Sequence, residues 1–480
     1  MLKKVAKIII PIFIFILTFI PRLYKIDNPV ADWHSWRQAD TAAVARNFVK
    51  DKFNLLYPQS DSFFGNNGLD IPNPDRLFIN EFPFYNAIVA LLYKQFGIKE
   101  IIARLVSVVF ASMGAVFLYL LTKRLFNQKI ALTTSLFYAL NPYNVFYGRV
   151  IMPDPAFISL SIISLYLLVK WTKSQKKLDA LLFTFIFALA MLIKPYAIFM
   201  AFPMAYWLWI NLGKKIFTNK QAYLMALGSF VPLALWRYHH YLHPEGIFDS
   251  RWLFNLNNIR FSGAFFRWLI FDRFNRLIFA TGGFVLLIIG LLSSYTSKTR
   301  ALIFVWFLSV ITYMTIFASG NVTHDYYQLP IVPVGSILVA FGFWQIINLS
   351  KKIFPKVINI SLAVFLLLLS FAFGWYEVRG FFNINHPEIV SAGQAVDRLT
   401  PKDATVIAPY AKDPAFLYQT NRHGWPFAGG VKEKAYEQGI THYISTQNKE
   451  SQEVKWLKDV CRIVKETDQY VLIDLRGCSL

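Results

Sequence analysis

The stretch Asp32-Trp33-His34-Ser35-Trp36-Arg37-Gln38-Ala39-Asp40-Thr41 decides how this chain is read. It comes shortly after an apolar run from Val5 to Ile20 and places two carboxylates, a histidine and an arginine side by side. A run long enough to cross a bilayer, followed by dense polar groups, is the pattern of a membrane protein with its chemistry just beyond its first span. Lys3, Lys4 and Lys7 lie at the start of the run, which ends in Pro21-Arg22-Leu23-Tyr24 with no small-residue cleavage site. The run is therefore expected to be a retained span with its basic end in the cytoplasm, not a removed signal peptide.

Composition agrees. The 480 residues are 55% hydrophobic, 17% aromatic and 16% charged, with a mean hydropathy of +0.41. A soluble domain carries about 25% charged residues. The net charge of +21 is expected to sit in cytoplasmic loops and not to mark a nucleic-acid surface. Eleven spans are expected, at about 5–22, 101–121, 130–147, 156–170, 179–193, 196–212, 221–238, 277–294, 301–318, 328–349 and 357–376. Short lysine-rich loops at 123–129, 170–177, 214–220, 298–300 and 351–356 alternate with longer mixed ones. The positive-inside rule then puts the N-terminus inside and the C-terminus outside. The loop 23–100 is expected to carry an amphipathic helix after Asp40, and an interfacial one from Pro83 to Phe96 with Tyr85 and Tyr93 at headgroup level.

The expected organisation is thus a polytopic α-helical membrane domain over 1–376 and a small extracytoplasmic α/β domain over 377–480. In the latter, helices at 386–399 and 411–420 alternate with strands at 404–408, 441–445 and 470–475. Cys461 and Cys478 would form one disulfide if that domain lies in an oxidising compartment.

The spans hold almost no acidic residue away from their ends, which argues against an ion-coupled transporter. Nothing matches a Walker loop, GxSxG, HExxH or a CxxC pair, so soluble-nucleotide and zinc-hydrolase chemistry have no support. What remains is an outward set of carboxylates (Asp32, Asp40, Glu81, Asp154, Asp325) and cationic or ring groups (His34, Arg37, Arg149, Lys194, His324, Tyr327). Carboxylates can act as general base or hold a divalent cation, and arginine and lysine can hold a phosphate leaving group. That pairing suits transfer from a phosphate-activated donor carried by lipid. Each residue also has an ordinary reading: Asp32 and Asp154 as helix caps, Arg37 and Arg149 as side chains reaching for headgroups.

In order along the chain, Asn80-Glu81-Phe82-Pro83, Arg104, Asn141-Pro142, Tyr147-Gly148-Arg149, Met152-Pro153-Asp154, Lys194-Pro195 and His324-Asp325-Tyr326-Tyr327 resemble the GT-C superfamily of polyprenyl-phosphate-sugar-dependent glycosyltransferases. The likeness covers roughly 1–376 and is strongest to the branch of protein O-mannosyltransferases and lipid A aminoarabinose transferases. It departs from the pattern at Trp36-Arg37-Gln38, where relatives carry an adjacent acidic pair, and at Phe82, where some carry lysine. The resemblance implies an inverting transfer of one sugar from a polyprenyl-phosphate donor to a hydroxyl of a protein, lipid or glycan at the outer face of the plasma membrane. It implies Asp40 as base, with Asp32 the competing assignment and His34 assisting. Arg37, Arg149, Lys194 and His324 would hold the donor phosphate; Glu81, Asp154, Asp325 and Tyr327 would support. No residue is assigned to a metal; Mg or Mn is the one cofactor left open. Membrane lipids are expected partners and nucleic acid is not. The competing readings are a flippase or transporter of lipid-linked sugar, and a non-catalytic envelope-assembly protein.

Overall fold

The computed structural model describes residues 2–64, 73–349, 355–446 and 451–479, with side chains from residue 8 onward. Lys351 and Lys352 of the last basic loop, the side chains of Lys3, Lys4 and Lys7, and part of the Pro/Asn/Gly-rich stretch of the first long loop lie outside the described residues. The chain is mostly helical and forms two compact units.

The first unit comprises 1–26, 105–237 and 250–380. Its helices are α1 (Leu2–Phe19) and, within the loop-to-span order, the bulk of the long helix Glu100–Leu125, then Gln128–Leu140, Pro142–Tyr147, Asp154–Ser174, Lys177–Ile193, Ala201–Leu212, Lys220–Leu242, Gly282–Leu292, Lys298–Ile316, Ile331–Ile347 and Lys356–Val378. Each of the eleven expected stretches is helical for most of its length. Among the described residues, four helical stretches are long and apolar enough to cross a membrane: Glu100–Leu125, Asp154–Ser174, Lys298–Ile316 and Lys356–Leu399. The pair Gly263–Ile278 and Gly282–Leu292, bent by 117°, makes a fifth if it counts as one span.

The breaks have local causes. Asn141 precedes Pro142, leaves helical geometry (φ −57°, ψ 118°) and accepts a hydrogen bond from the Asn144 N–H at 2.9 Å, so one helix ends and the next is capped at one residue. Arg22, fully buried, donates to the Ala139 and Asn144 carbonyls at 3.0 Å each and supplies donors to the carbonyls around that break. Gly282–Leu292 and Ile331–Ile347 pack backbone to backbone through reciprocal glycines. A Cβ on Gly290 would lie 1.9 Å from the Leu338 oxygen, and one on Gly342 the same distance from the Leu286 oxygen.

The second unit comprises 27–104, 238–249 and 381–480, so the long loop after the first span folds together with the C-terminal region. Its helices include α2 (Ser35–Lys50) and α3 (Phe84–Phe96). Its sheet has five strands, β1 (Thr405–Ile407), β2 (His423–Trp425), β3 (His442–Ser445), β4 (Arg462–Glu466) and β5 (Val471–Asp474), in the order β2-β1-β3-β5-β4. β1 pairs in parallel with β2 and β3; β5 pairs antiparallel with β3 and β4. Ile407, Tyr443, Val454, Leu457, Val471 and Ile473 form its core. The first loop extends the sheet: Phe63 donates to the Gly424 oxygen and Gly424 to the Asp61 oxygen, both at 3.0 Å. Gly424 is required there, since a Cβ would lie 1.7 Å from the Val406 oxygen. Cys461 and Cys478 are joined in a disulfide.

The expected strands at 404–408, 441–445 and 470–475 are present as β1, β3 and β5, whereas β2 and β4 were not foreseen. β2 is three residues with a central glycine, and β4 is a charged edge strand with little burial. One expectation is corrected. Tyr85 and Tyr93 are buried, at 1% and 2% exposure, and do not stand at headgroups; Tyr85 donates to the Ala103 oxygen at 2.8 Å. The outward face of α3 is carried instead by Leu91 and Phe96.

Candidate active site

The sequence-selected residues fall into two clusters, one in each unit. In the second unit, α2 opens at Ser35 after His34, which takes left-handed geometry (φ 55°) and stacks its ring edge against Trp33 at 5.1 Å. Non-glycine residues in that conformation carry strain and are frequent at functional sites. One turn on, Arg37 forms a buried ion pair with Glu81. Asp40 lies three residues further, buried, and among the described residues no hydrogen bond or ion pair reaches its carboxylate. Burial pushes its pKa from 3.8 up to about 7; the Arg37 guanidinium pulls against this, while Asp413, Asp61 and Glu81 add to it. A carboxyl that titrates near neutrality, with no partner to consume it, has the proton affinity a general base needs.

Asp32 differs. Its carboxylate is fully enclosed, 3.2 Å from Arg104 and accepting 2.6 Å from the Gln38 amide. This pair ties the segment before α2 to the start of the helix Glu100–Leu125. Asp32 does not cap α2: the N-cap position is His34, and it makes no side-chain capping bond. A third carboxylate, Asp61, is buried against Arg46 and accepts from Asn47 at 3.1 Å. Burial raises its pKa, but Arg46, His423 and Asn47 together outweigh this and hold it below the ordinary carboxylate value.

In the first unit, Lys194, buried before Pro195, sits 3.4 Å from Asp154 and 5.8 Å from the ring centroids of Tyr326 and Tyr327. His324 stacks on Tyr326 at 5.4 Å and Tyr327 at 6.1 Å, with Trp252 edge-on at 5.7 Å. Asp325 accepts from the Tyr147 hydroxyl through its carboxylate and, through its carbonyl, from the Tyr143 hydroxyl at 2.7 Å. Arg149, fully buried, donates to the Lys25 oxygen at 2.7 Å. The structure adds Arg273, which the sequence carried without motif. It stacks over Trp268 at 4.1 Å and lies 4.0 Å from Asp325. No spacing signal singles Arg273 out; only the fold brings it beside Asp325.

The clusters thus unite Asp40, Arg37 and Glu81 in one unit, and Asp154, Lys194, His324, Asp325 and Tyr327 in the other. Asp32 is engaged in a separate buried pair. Among the described residues no group of three or more His, Cys, Asp or Glu side chains is arranged to hold a metal ion.

The fold is that of the GT-C glycosyltransferases. It aligns with the ArnT of Cupriavidus metallidurans bound to undecaprenyl phosphate over 96% of this chain and 97% of that one, at 13% identity and a TM-score of 0.67. The apo oligosaccharyltransferase of Archaeoglobus fulgidus aligns over 92% of this chain and 70% of that one, at 11% identity and a TM-score of 0.59. Residues 80–238 match the family described as dolichyl-phosphate-mannose-protein mannosyltransferase. No curated protein sequence matches the chain. The family match covers residues 80–238, and the fold likeness nearly the whole chain.

Proposed function

We propose that this protein transfers a single sugar from a polyprenyl-phosphate donor to an acceptor hydroxyl at the outer membrane face, with inversion at the anomeric carbon. The observation that carries the reading is Asp40, a buried carboxylate with no hydrogen bond or ion pair among the described residues and a pKa raised to about 7, near the start of a helix in a GT-C-like fold. The undecaprenyl phosphate bound by the ArnT neighbour supports a lipid-phosphate donor, and the acceptor peptide tethered to the A. fulgidus oligosaccharyltransferase supports an acceptor at the same kind of fold.

Asp40 takes the proton of the acceptor hydroxyl as its oxygen attacks the anomeric carbon. The sugar–phosphate bond breaks, and the electron pair leaves on the phosphate oxygen. The candidates to neutralise that phosphate are Arg37 in the second unit and Lys194, Arg149 and His324 in the first, where Asp154 lies beside Lys194 and Asp325 beside Arg273. Asp40 is preferred over Asp32 as base because Asp32 is occupied by Arg104 and Gln38. Eleven spans, an inward N-terminus and an outward C-terminal α/β portion complete the reading; the Cys461–Cys478 disulfide supports placing that portion in an oxidising compartment. The acceptor hydroxyl belongs to a protein, a lipid or a glycan.

The test is incubation of the purified protein in lipid with a panel of radiolabelled polyprenyl-phosphate sugars and an envelope extract as acceptor. Transfer that persists when all ion gradients are collapsed is expected. Absence of transfer from every donor would overturn the reading, and gradient-dependent movement of intact donor across the bilayer would replace it with the transporter.

A further inference from the structure

Gln38 lies on the first turn of α2, between Arg37 and Asp40, and is fully buried. Its side chain reaches backwards over the turn that starts the helix. The amide nitrogen donates to the Asp32 carboxylate at 2.6 Å and to the Trp33 carbonyl at 3.0 Å, which uses both of its N–H groups. The backbone N–H groups of Arg37 and Gln38 both point to the His34 carbonyl, at 3.1 and 3.3 Å. His34 is thus enclosed between the side chain and the backbone of Gln38, and His34 is the residue held in left-handed geometry (φ 55°). That conformation persists in a non-glycine residue only where its surroundings over-determine it. The enclosure is anchored from outside as well. Arg104, fully buried, lies 3.2 Å from the Asp32 carboxylate and donates to the Asn28 carbonyl at 3.3 Å. The Trp33 N–H donates to the Phe381 carbonyl at 3.2 Å, and the two aromatic rings stack at 4.8 Å.

We propose that Gln38 is a positioning residue: its amide holds the His34 turn in one conformation, and so fixes the direction of the imidazole and the line on which α2 carries Arg37 and Asp40. The inference rests on the transfer proposed above, in which Arg37 and Asp40 act. The residue type follows from the geometry. A carboxylate and a carbonyl both face position 38, and both are acceptors, so only a donor fits between them. Glutamine supplies two N–H groups from one atom; ionised glutamate has the same shape and supplies none. Without that donor the turn is released toward the right-handed and extended conformations that histidine prefers.

Three variants of the full-length protein in lipid test this. Gln38→Met fills the same space without a donor. Gln38→Glu sets a second carboxylate against Asp32. The double variant Asp32→Asn with Gln38→Glu restores the bond between positions 32 and 38 with its direction reversed, and keeps a negative charge beside Arg104. Each single variant should exchange the amide hydrogens of residues 33–38 faster than wild type, with the rest of α2 still protected. Each should also lower kcat for sugar transfer by about 10- to 100-fold, the scale of an ångström's misplacement of reacting groups, and leave the donor KM unchanged. The double variant should regain a large part of both the protection and kcat. Wild-type kcat in Gln38→Met, a loss confined to KM, or a double variant no better than Gln38→Glu would overturn the role. If wild type transfers no sugar, the proposed transfer is what fails, and exchange alone decides the clamp: unchanged protection in both single variants would end it.

Discussion

At Asp40, the same burial that makes a good base makes an unfavourable residue. Its pKa is raised from 3.8 to about 7. For a group raised in the fold, stability is fully present below the unfolded value near 4 and is lost as pH rises through about 7. Asp40→Asn should therefore melt at the same temperature as wild type near pH 4 and higher at about pH 8, while losing transfer; a melting temperature lowered at both pH values would mark Asp40 as structural. The transfer rate should rise with pH and level off above about 7, because only the ionised carboxylate takes a proton. Asp32 should behave in the opposite way. Arg104 is fully buried against it, so Asp32→Ala leaves an unpaired buried guanidinium and should cost about 3–5 kcal/mol of stability. Denaturant unfolding of the two variants separates these roles. The sequence put Asp40 first and kept Asp32 as the competing assignment; what separates their surroundings is Arg104, far along the chain. Lys194, Asp154 and the His324-to-Tyr327 run were legible as polar groups at span ends; Arg273 was not, since only tertiary packing sets it beside Asp325.

At the scale of elements, helices in the first unit were readable from runs of apolar residues, because composition alone decides what can dissolve in a bilayer. The break at Pro195 was readable too, whereas the one at Pro142 falls inside the single stretch expected at 130–147. The backbone contact between Gly282–Leu292 and Ile331–Ile347 was not, since single glycines in apolar helices announce no partner. Gly342→Leu should force these helices apart and lower stability by about 1–3 kcal/mol or more, seen as a lower melting temperature, with a far smaller effect from the same change at Gly263, where a Cβ has open space. The second unit shows why Tyr85 and Tyr93 misled. Tyrosines at both ends of a short apolar helix read as an interfacial anchor, but both are buried, and Tyr85 is tied to the Ala103 oxygen. β4 escaped notice because an edge strand has no need of alternating apolar residues.

For the whole molecule, the decisive fact is that the loop after the first span and the C-terminal region fold as one unit. Sequence order separates them by several hundred residues, so no local pattern could have joined them; Phe63 pairing with Gly424 and Arg46 with Tyr418 do so. A truncation after the last apolar helix should accordingly expose α2 and destroy transfer along with stability. The Cys461–Cys478 bond closes a separation of 17 residues, and its reduction should cost about 3 kcal/mol, measured as a loss of protease resistance confined to the second unit. The account as a whole is tested most directly by following label from a polyprenyl-phosphate sugar to acceptor with purified wild type and Asp40→Asn side by side. It predicts transfer by wild type and a rate about 10²–10⁴-fold lower in Asp40→Asn with donor binding unchanged. Equal transfer by both proteins would contradict Asp40 as the base, and no transfer by wild type from any donor would contradict the function itself.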